Sequence, residues 1–394
     1  MKRRIGILTS GGDCPGLNAT IRGVAKACYQ MLGTENVEIV GISDGYYGLI
    51  HNICKEMKPD DFSGILTRGG TILGTKRQPF KMMKVIGDDN IDKVKNMKKT
   101  YQSQKLDCLL TLGGNGTHKT SQLLSEEGLN VIGLPKTIDN DLCITDHTPG
   151  FGSAAKYVAT TMQEITRDSS VYSAPSVTIV EIMGRNAGWL TASSVVLHAN
   201  GEVAPHIIYV PERKFSIEQF LEDTRQQMAK HKAVIIAISE GVADPEAAAF
   251  QSGVTDEFGH KYLSGIGKYL EQVVREQIGC KVRSIELNVM QRCSSHLCSK
   301  TDIDESVQIG AAGVRAALAG ETGIVMTFRR VSDQPYAIVV KSTSAANIAN
   351  QERFLPPAYI NDAGNNITEA AWSYFLPLIQ GECNIRLKSE AKRS

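Results

Sequence analysis

The sequence predicts an α/β fold: open, mostly parallel sheets with helices on both faces, arranged in two lobes. Three observations carry this. Short β-branched runs alternate with helix-length amphipathic segments along most of the 394 residues. That length leaves room for two ordinary domains, each burying its own core. Glycine-rich turns follow several of the apolar runs, as they do at the strand ends of such sheets.

Taken in order, Ile5–Thr9 reads as a strand and Pro15–Met31 as a helix, with Ile21, Val24, Ala25 and Cys28 at i, i+3, i+4 and i+7. Strands follow at Val37–Ile42, Leu106–Leu112 and Asn130–Leu134, with Thr117–Ser125 the helix between the last two. A long helix runs from Gly152 to about Arg167, then a strand at Val177–Met183. The alternation continues through strand Ile207–Val210, helix Ser216–Ala229, strand Ala233–Ile238 and helix Tyr262–Gln277. It ends with strand Val282–Asn288 and helix Glu305–Ala319. Gly323–Phe328 and Tyr336–Val340 lie close together with Pro335 between them, which predicts an antiparallel pair. No Gly/Ser- or Pro-rich linker separates the lobes. We place the boundary near Leu134–Asp141, giving a first lobe of residues 1–138, joined by part of the C-terminal region, and a second of residues 139–394.

Composition narrows the function. Apolar residues at 42% and charged residues at 22% are ordinary globular usage, which excludes wholesale disorder. Lys plus Arg is 43 against 42 for Asp plus Glu, a net charge of +1, and aromatics are 6%, so nothing in the composition supports a nucleic-acid partner or an anionic membrane surface. The longest clean apolar run, Ala233–Ile238, is far below the roughly 20 residues of a membrane-spanning helix. Nine scattered cysteines, an odd number, read as reduced thiols of a cytoplasmic protein rather than a disulfide framework. Basic Met1–Arg4 precedes only a short apolar stretch, Ile5–Leu8, so no secretion signal is expected.

Three glycine-rich turns each follow an apolar stretch: Thr9–Asp13, Arg68–Thr71 with Gly74–Arg77, and Leu112–Thr117. Without Cβ atoms a turn lets backbone N–H groups approach an anion, and the following helix N-terminus adds its positive dipole. A glycine serves a plain tight turn equally well, but three such turns, one bearing Lys76 and Arg77, favour a polyphosphate or phosphosugar site. Neither G-x-x-x-x-G-K-[ST] nor a proper G-x-G-x-x-G is present, so a P-loop enzyme and a nicotinamide dehydrogenase both lose ground. Pro135–Asp141 places Asp139 and Asp141 two residues apart beside Lys136, a set suited to general-base chemistry with charge neutralisation. The same aspartates can instead cap the next helix or close an Asx turn. Glu181–Arg185 ends a strand in Gly184 and a phosphate-competent Arg185. Arg283 and Arg292 flank Ile285–Met290 and, taken by themselves, read as surface arginines. His118 and Lys119, after the third turn, read as a solvated helix face.

Ser10–Gly23, Gly69–Arg77, Gly113–Thr117, Pro135–Asp141, Met183–Arg185 and Ser239–Gly241 together resemble the 6-phosphofructokinases of the A type, in that family's order and spacing. The resemblance covers nearly the whole chain. It implies phosphoryl transfer to the 1-hydroxyl of fructose 6-phosphate in a cleft between two Rossmann-like lobes. It implies that Asp139 is the base, with Lys136 and Arg185 beside the transferring group. Thr137, Ile138, Met183, Gly184, Arg185, Glu240, Arg283 and Arg292 would hold the sugar phosphate. Gly11, Gly12, Arg77, Gln78, Gly114, Asn115, Gly116 and Thr117 would surround the donor, with Mg²⁺ on its phosphates and Asn115 a weak ligand, through water. A homodimer or homotetramer is implied, with Arg283 reaching across a subunit boundary.

The chain departs from the family pattern in both directions. Asn115 replaces the metal-associated Asp of typical ATP users, Lys136 is the residue of the pyrophosphate branch, and Gly116 is that of ATP users. Ser176 and Val289 stand where an Arg and a His are common. Thr145–Tyr157 and the segment Gln291–Ile303 look pyrophosphate-type, whereas the N-terminal lobe looks ATP-type. Like-charge exclusion decides specificity more strongly than one added attraction. ATP is therefore the expected donor and pyrophosphate the alternative; a non-catalytic sugar-phosphate sensor is a second alternative.

Overall fold

The computed structural model describes residues 2–11, 14–66, 68–76, 78–86, 90–242, 265–348 and 351–383. Gly12 and Arg77 lie outside the described residues. Among the described residues, eleven strands form two sheets. The first contains β1 (Arg3–Ser10), β2 (Val37–Ile42), β3 (Cys54–Met57), β4 (Cys108–Gly113), β5 (Val131–Pro135), β10 (Ile324–Asp333) and β11 (Tyr336–Ser344), in the order β11-β10-β5-β4-β1-β2-β3. The second contains β6 (Ser176–Ile182), β7 (Ile207–Tyr209), β8 (Ala233–Ser239) and β9 (Lys281–Glu286), in the order β7-β8-β6-β9.

The second sheet is parallel throughout. In the first, β10 joins β5 in parallel and turns back as the antiparallel β11, so the expected C-terminal pair forms and completes the sheet begun at the N-terminus. β4 is buried along its whole length and β1 along most of it, because each is flanked by strands and covered by helices on both faces. Every strand read from the sequence is present. The helix expected from Glu305 begins at Lys300, because the Ser299 hydroxyl accepts from the Asp302 N–H and caps it. Strand β3 and the helices Tyr46–His51 and Lys93–Ser103 were not read from the sequence; the first two are short and the third is mostly polar.

The two halves share one core. Ile7 and Leu110 of the first sheet and Val180 and Ile235 of the second fall in a single cluster of buried side chains. The Leu17–Leu32 and Lys300–Leu318 helices cross backbone to backbone inside it. A Cβ on Gly23 would sit 2.2 Å from the Val307 carbonyl oxygen, and one on Gly310 would sit 2.3 Å from that of Thr20. The chain can therefore return from the second lobe to the first only where both helices carry glycine.

Gly23→Ala is expected to destabilise the protein by roughly 1–3 kcal/mol in denaturant unfolding. Alanine is the better helix former by up to about 1 kcal/mol, so the clash must outweigh that gain. Wild-type or higher stability would show that the helices separate without cost.

Candidate active site

Hydroxyl groups stitch the three glycine turns together. Gly11 turns β1 outward at a φ of 100°, and its N–H donates to Thr75 Oγ1 at 3.1 Å. Thr9 Oγ1 lies 2.9 Å from Thr71 Oγ1 and donates to the Gly74 carbonyl at 2.8 Å. Asn18 braces the same loop, donating to Arg68 O and accepting from Ile72 N–H, both at 2.9 Å. Thr117 Oγ1 donates to Ser10 O at 3.3 Å, joining the third turn to the first. Lys136 then brings the carboxylate segment to these turns. Its N–H donates to Gly113 O at 3.0 Å, and its Nζ would lie 3.2 Å from a Cβ on Gly11. The buried ammonium occupies the space beside a residue that has no side chain.

Beyond Lys136 the chain bends sharply. Asp139 N–H donates to Thr137 Oγ1 at 3.1 Å, and the Thr148 hydroxyl donates to Thr137 O at 2.7 Å. Asn140 adopts the left-handed conformation, φ 55°, between the two carboxylates. From the second sheet, the Met183–Arg185 and Ser239–Gly241 loops interlock. Glu240 N–H donates to Ile182 O at 2.9 Å, and Gly184 N–H donates to Glu240 Oε1 at 3.4 Å. A Cβ on Gly241 would lie 1.8 Å from Arg185 O. The C-terminal ends of β1, β4, β5, β6 and β8 thus meet at one crevice, where ligands bind in open α/β sheets.

Charge is concentrated here. Burial raises the Asp139 carboxyl above its ordinary value, while Lys136, Arg185 and Arg292 oppose that rise. Burial, with help from Asp139, pushes Asp141 up to about 7. Burial also carries Glu240 to about 7, against the Gly184 N–H that favours its charged form. The Nε of Arg292 is buried with no hydrogen-bond partner among the described residues, an orphaned donor beside a carboxylate.

Not every residue singled out in the sequence faces the crevice. Ile138 buries its side chain in the shared core, so only its backbone lines the loop. The Thr117 hydroxyl is engaged with Ser10. Arg283 on β9 pairs with Asp168 at 3.0 Å, with the Arg283 side chain half-buried and that of Asp168 exposed. Met183 N–H faces Gln291 Oε1 at 3.4 Å, and Gln78 is half-buried on the Gly74 loop. Gly114 precedes the Asn115–Glu126 helix, and Gly116 in its first turn is exposed, with nothing within 4 Å of where a Cβ would stand. His118 is fully buried rather than solvated, and burial takes its pKa down to about 4. The helix turns it beneath β5, where a Cβ on Gly133 would meet its Nδ1 at 2.7 Å.

One contributor carried no signal in the sequence. Residues 351–353 cross the crevice as a strap: Asn115 Nδ2 donates to Gln351 O at 3.3 Å, Arg353 N–H to Asp141 O at 2.8 Å, and Asn186 Nδ2 to Glu352 Oε1 at 2.9 Å. No spacing links positions so far apart in the chain.

Among the described residues, no group of three or more His, Cys, Asp or Glu side chains gathers as a metal cage. The donor set fits Mg²⁺ in its other mode, in which the ion keeps several waters, rides on substrate phosphates and takes one or two protein oxygens. The Asn115 amide oxygen is an oxygen donor of that kind.

Because Lys136 is the largest attraction holding Asp139 in its charged form, Lys136→Met is expected to move Asp139 titration to higher pH. Carbon-13 NMR of labelled aspartate reads this directly; an unmoved or lowered pKa would place the ammonium elsewhere.

Comparison with known proteins gives a consistent picture. The family profile described as "Phosphofructokinase" matches residues 4–316. A pyrophosphate–fructose 6-phosphate 1-phosphotransferase of Xanthomonas campestris is 33% identical over 395 residues, covering 97% of this chain and 92% of that protein. An ATP-dependent 6-phosphofructokinase of Spirochaeta thermophila is 39% identical over 332 residues, covering 83% and 87% respectively. Among solved structures, a pyrophosphate-dependent phosphofructokinase from Marinobacter aquaeolei superposes with a TM-score of 0.83 at 28% identity, covering 97% of this chain and 92% of that one.

Proposed function

The chain belongs to the phosphofructokinase family, and from that premise we propose that it transfers a phosphoryl group from ATP to the 1-hydroxyl of fructose 6-phosphate. It is a phosphotransferase of the 6-phosphofructokinase type. The observation that carries the mechanism is the setting of Asp139, half-buried where loops from the two sheets meet and ringed by Lys136, Arg185 and Arg292. Burial makes its carboxylate more basic than usual, and the cations favour its ionised form against that rise. Asp139 takes the proton from the sugar 1-hydroxyl as that oxygen bonds to phosphorus and the bond to the leaving phosphate breaks. Lys136 and Arg185 balance the charge of the transferring group. Mg²⁺, when bound on the donor phosphates, adds further neutralisation. The orphaned Nε of Arg292 is a donor awaiting an anionic acceptor, which suits a sugar phosphate, and Thr137, Met183, Gly184 and Glu240 form the adjoining wall.

The open space over Gly116, at the N-terminus of the Asn115–Glu126 helix, supports ATP: among the described residues nothing lies within 4 Å of where a Cβ would stand, leaving room for a nucleotide's inner phosphates. The buried ammonium of Lys136 beside Gly11 supports the second reading, pyrophosphate, whose charge it would balance. A homodimer or homotetramer is part of the proposal, supported by the position of Arg283 on the β9 edge, away from its own crevice. Cytoplasmic location is proposed likewise; no helix among the described residues is long and apolar enough to cross a membrane.

Asp139→Asn preserves shape and removes the base, so kcat should fall about 10²- to 10⁴-fold while sugar-phosphate affinity is largely kept. A variant with most of its turnover would remove Asp139 from that role.

For the donor, steady-state turnover with ATP and then pyrophosphate at saturating fructose 6-phosphate and Mg²⁺ is the direct measurement. Gly116→Asp enters open space, so folding should be undisturbed. Its carboxylate should lower kcat/KM for ATP by about 10² or more and for pyrophosphate far less, through like-charge repulsion in a partly desolvated cleft. Turnover with pyrophosphate and none with ATP in the wild type would establish the second reading instead.

A further inference from the structure

Asn140, between the two carboxylates, is fully buried with its backbone in the left-handed region. A non-glycine residue keeps that conformation only where its surroundings hold it. The holding group comes from the far end of the chain. Asn140 Nδ2 donates to Tyr374 Oη at 2.7 Å, and that hydroxyl donates to the Asp146 carbonyl at 2.7 Å. Arg353, from the strap, also donates to Tyr374 Oη at 3.3 Å.

Asp146 is itself fixed by a buried ionic chain. Its carboxylate lies 2.8 Å from His147 Nδ1 and 3.1 Å from the Arg330 guanidinium. His147 Nε2 lies 2.7 Å from Glu305 Oε2, and Tyr336 Oη donates to Glu305 Oε1 at 2.9 Å. The imidazole stacks on Phe328 with ring centroids 4.7 Å apart. The Tyr374 ring packs against Trp189 and Phe375 at centroid distances of 5.0 and 5.1 Å. The hydroxyl therefore has no slack, and neither has the Asn140 side chain that rests on it.

We propose that Tyr374 is the positioning residue of the loop Asp139–Asp141: its hydroxyl, anchored on Asp146, holds Asn140 in the left-handed turn and so aims the Asp139 carboxylate at the acceptor hydroxyl. This rests on Asp139 being the base. Displacing a reacting group by about 1 Å can lower a rate 10²-fold.

Tyr374→Phe keeps the ring and removes one oxygen. The expected result is a kcat about 10- to 10²-fold lower, with KM for fructose 6-phosphate within about threefold of wild type. Purely structural damage would not produce the second signature: in an Asp139→Asn background, adding Tyr374→Phe should cost nothing further, because a base that is absent cannot be mispositioned. Asn140→Gly supplies a second, independent variant, since glycine accepts the left-handed backbone while losing the anchor; it should lower kcat to a similar extent, with no additional loss when combined with Tyr374→Phe. Wild-type kcat in Tyr374→Phe, a loss confined to KM, or an equal further loss in the Asp139→Asn background would each overturn the proposal. If Asp139→Asn alone keeps its turnover, the base assignment fails and the proposal falls with it. If only Tyr374→Phe behaves as wild type, the base assignment stands and the positioning role alone is wrong.

Discussion

Holding a half-buried carboxylate among three cations, of which Lys136 is buried, is the constraint on which the rest of the crevice depends. Desolvation raises the basicity of Asp139, and Lys136, Arg185 and Arg292 oppose that rise by favouring its charged form. An isolated buried charge would be intolerable, and a fully neutralised one would be a poor base. The three cations come from separate places: one beside the base, one after β6, and one after β9. The charge balance therefore exists only when both sheets are assembled, which ties formation of the site to completion of the fold.

Glycines and short hydroxyl side chains make that assembly geometrically possible. Lys136 reaches the first turn because Gly11 leaves room for its ammonium, and the Met183–Arg185 loop lies against the Ser239–Gly241 loop because Gly241 has no Cβ to strike Arg185. Thr9, Thr75, Thr117 and Asn18 then satisfy backbone groups that such tight approaches would otherwise leave unpaired in the interior. The Gly23–Val307 and Gly310–Thr20 contacts do the same work deeper in the molecule, locking the returning Lys300–Leu318 helix against the first lobe. Through that helix Glu305 reaches His147 and the ionic chain behind the loop. The orientation of the Asp139–Asp141 loop is thus set from behind by residues that never touch the crevice.

Donor identity rests on a narrower margin. Gly116 and Lys136 draw in opposite directions: absence of a repulsive carboxylate leaves room for a nucleotide, whereas a buried ammonium suits a compact, highly charged donor. Relatives of both kinds match this chain at comparable identity.

Period and punctuation determined the alternation of strands and helices, the return of residues 324–344 as an antiparallel pair and the glycine turns at strand ends, because each is a local pattern that a few neighbouring residues encode. The same local reading picked out Lys136, Asp139 and Arg185, since chemistry-bearing residues beside glycines at strand ends stand out in any α/β sequence, whereas Arg292 read as a surface arginine and entered only through the family resemblance. What tertiary structure alone decided is which of those residues meet. Arg292 turns toward Asp139 whereas Arg283 pairs with Asp168 at the sheet edge, and Ile138 and His118 point into the interior. The strap at residues 351–353 and the Tyr374 hydroxyl arrive from more than 160 positions away. Contacts of that span depend on how two sheets and a shared core close on one another, and no periodicity or spacing along the chain records the outcome.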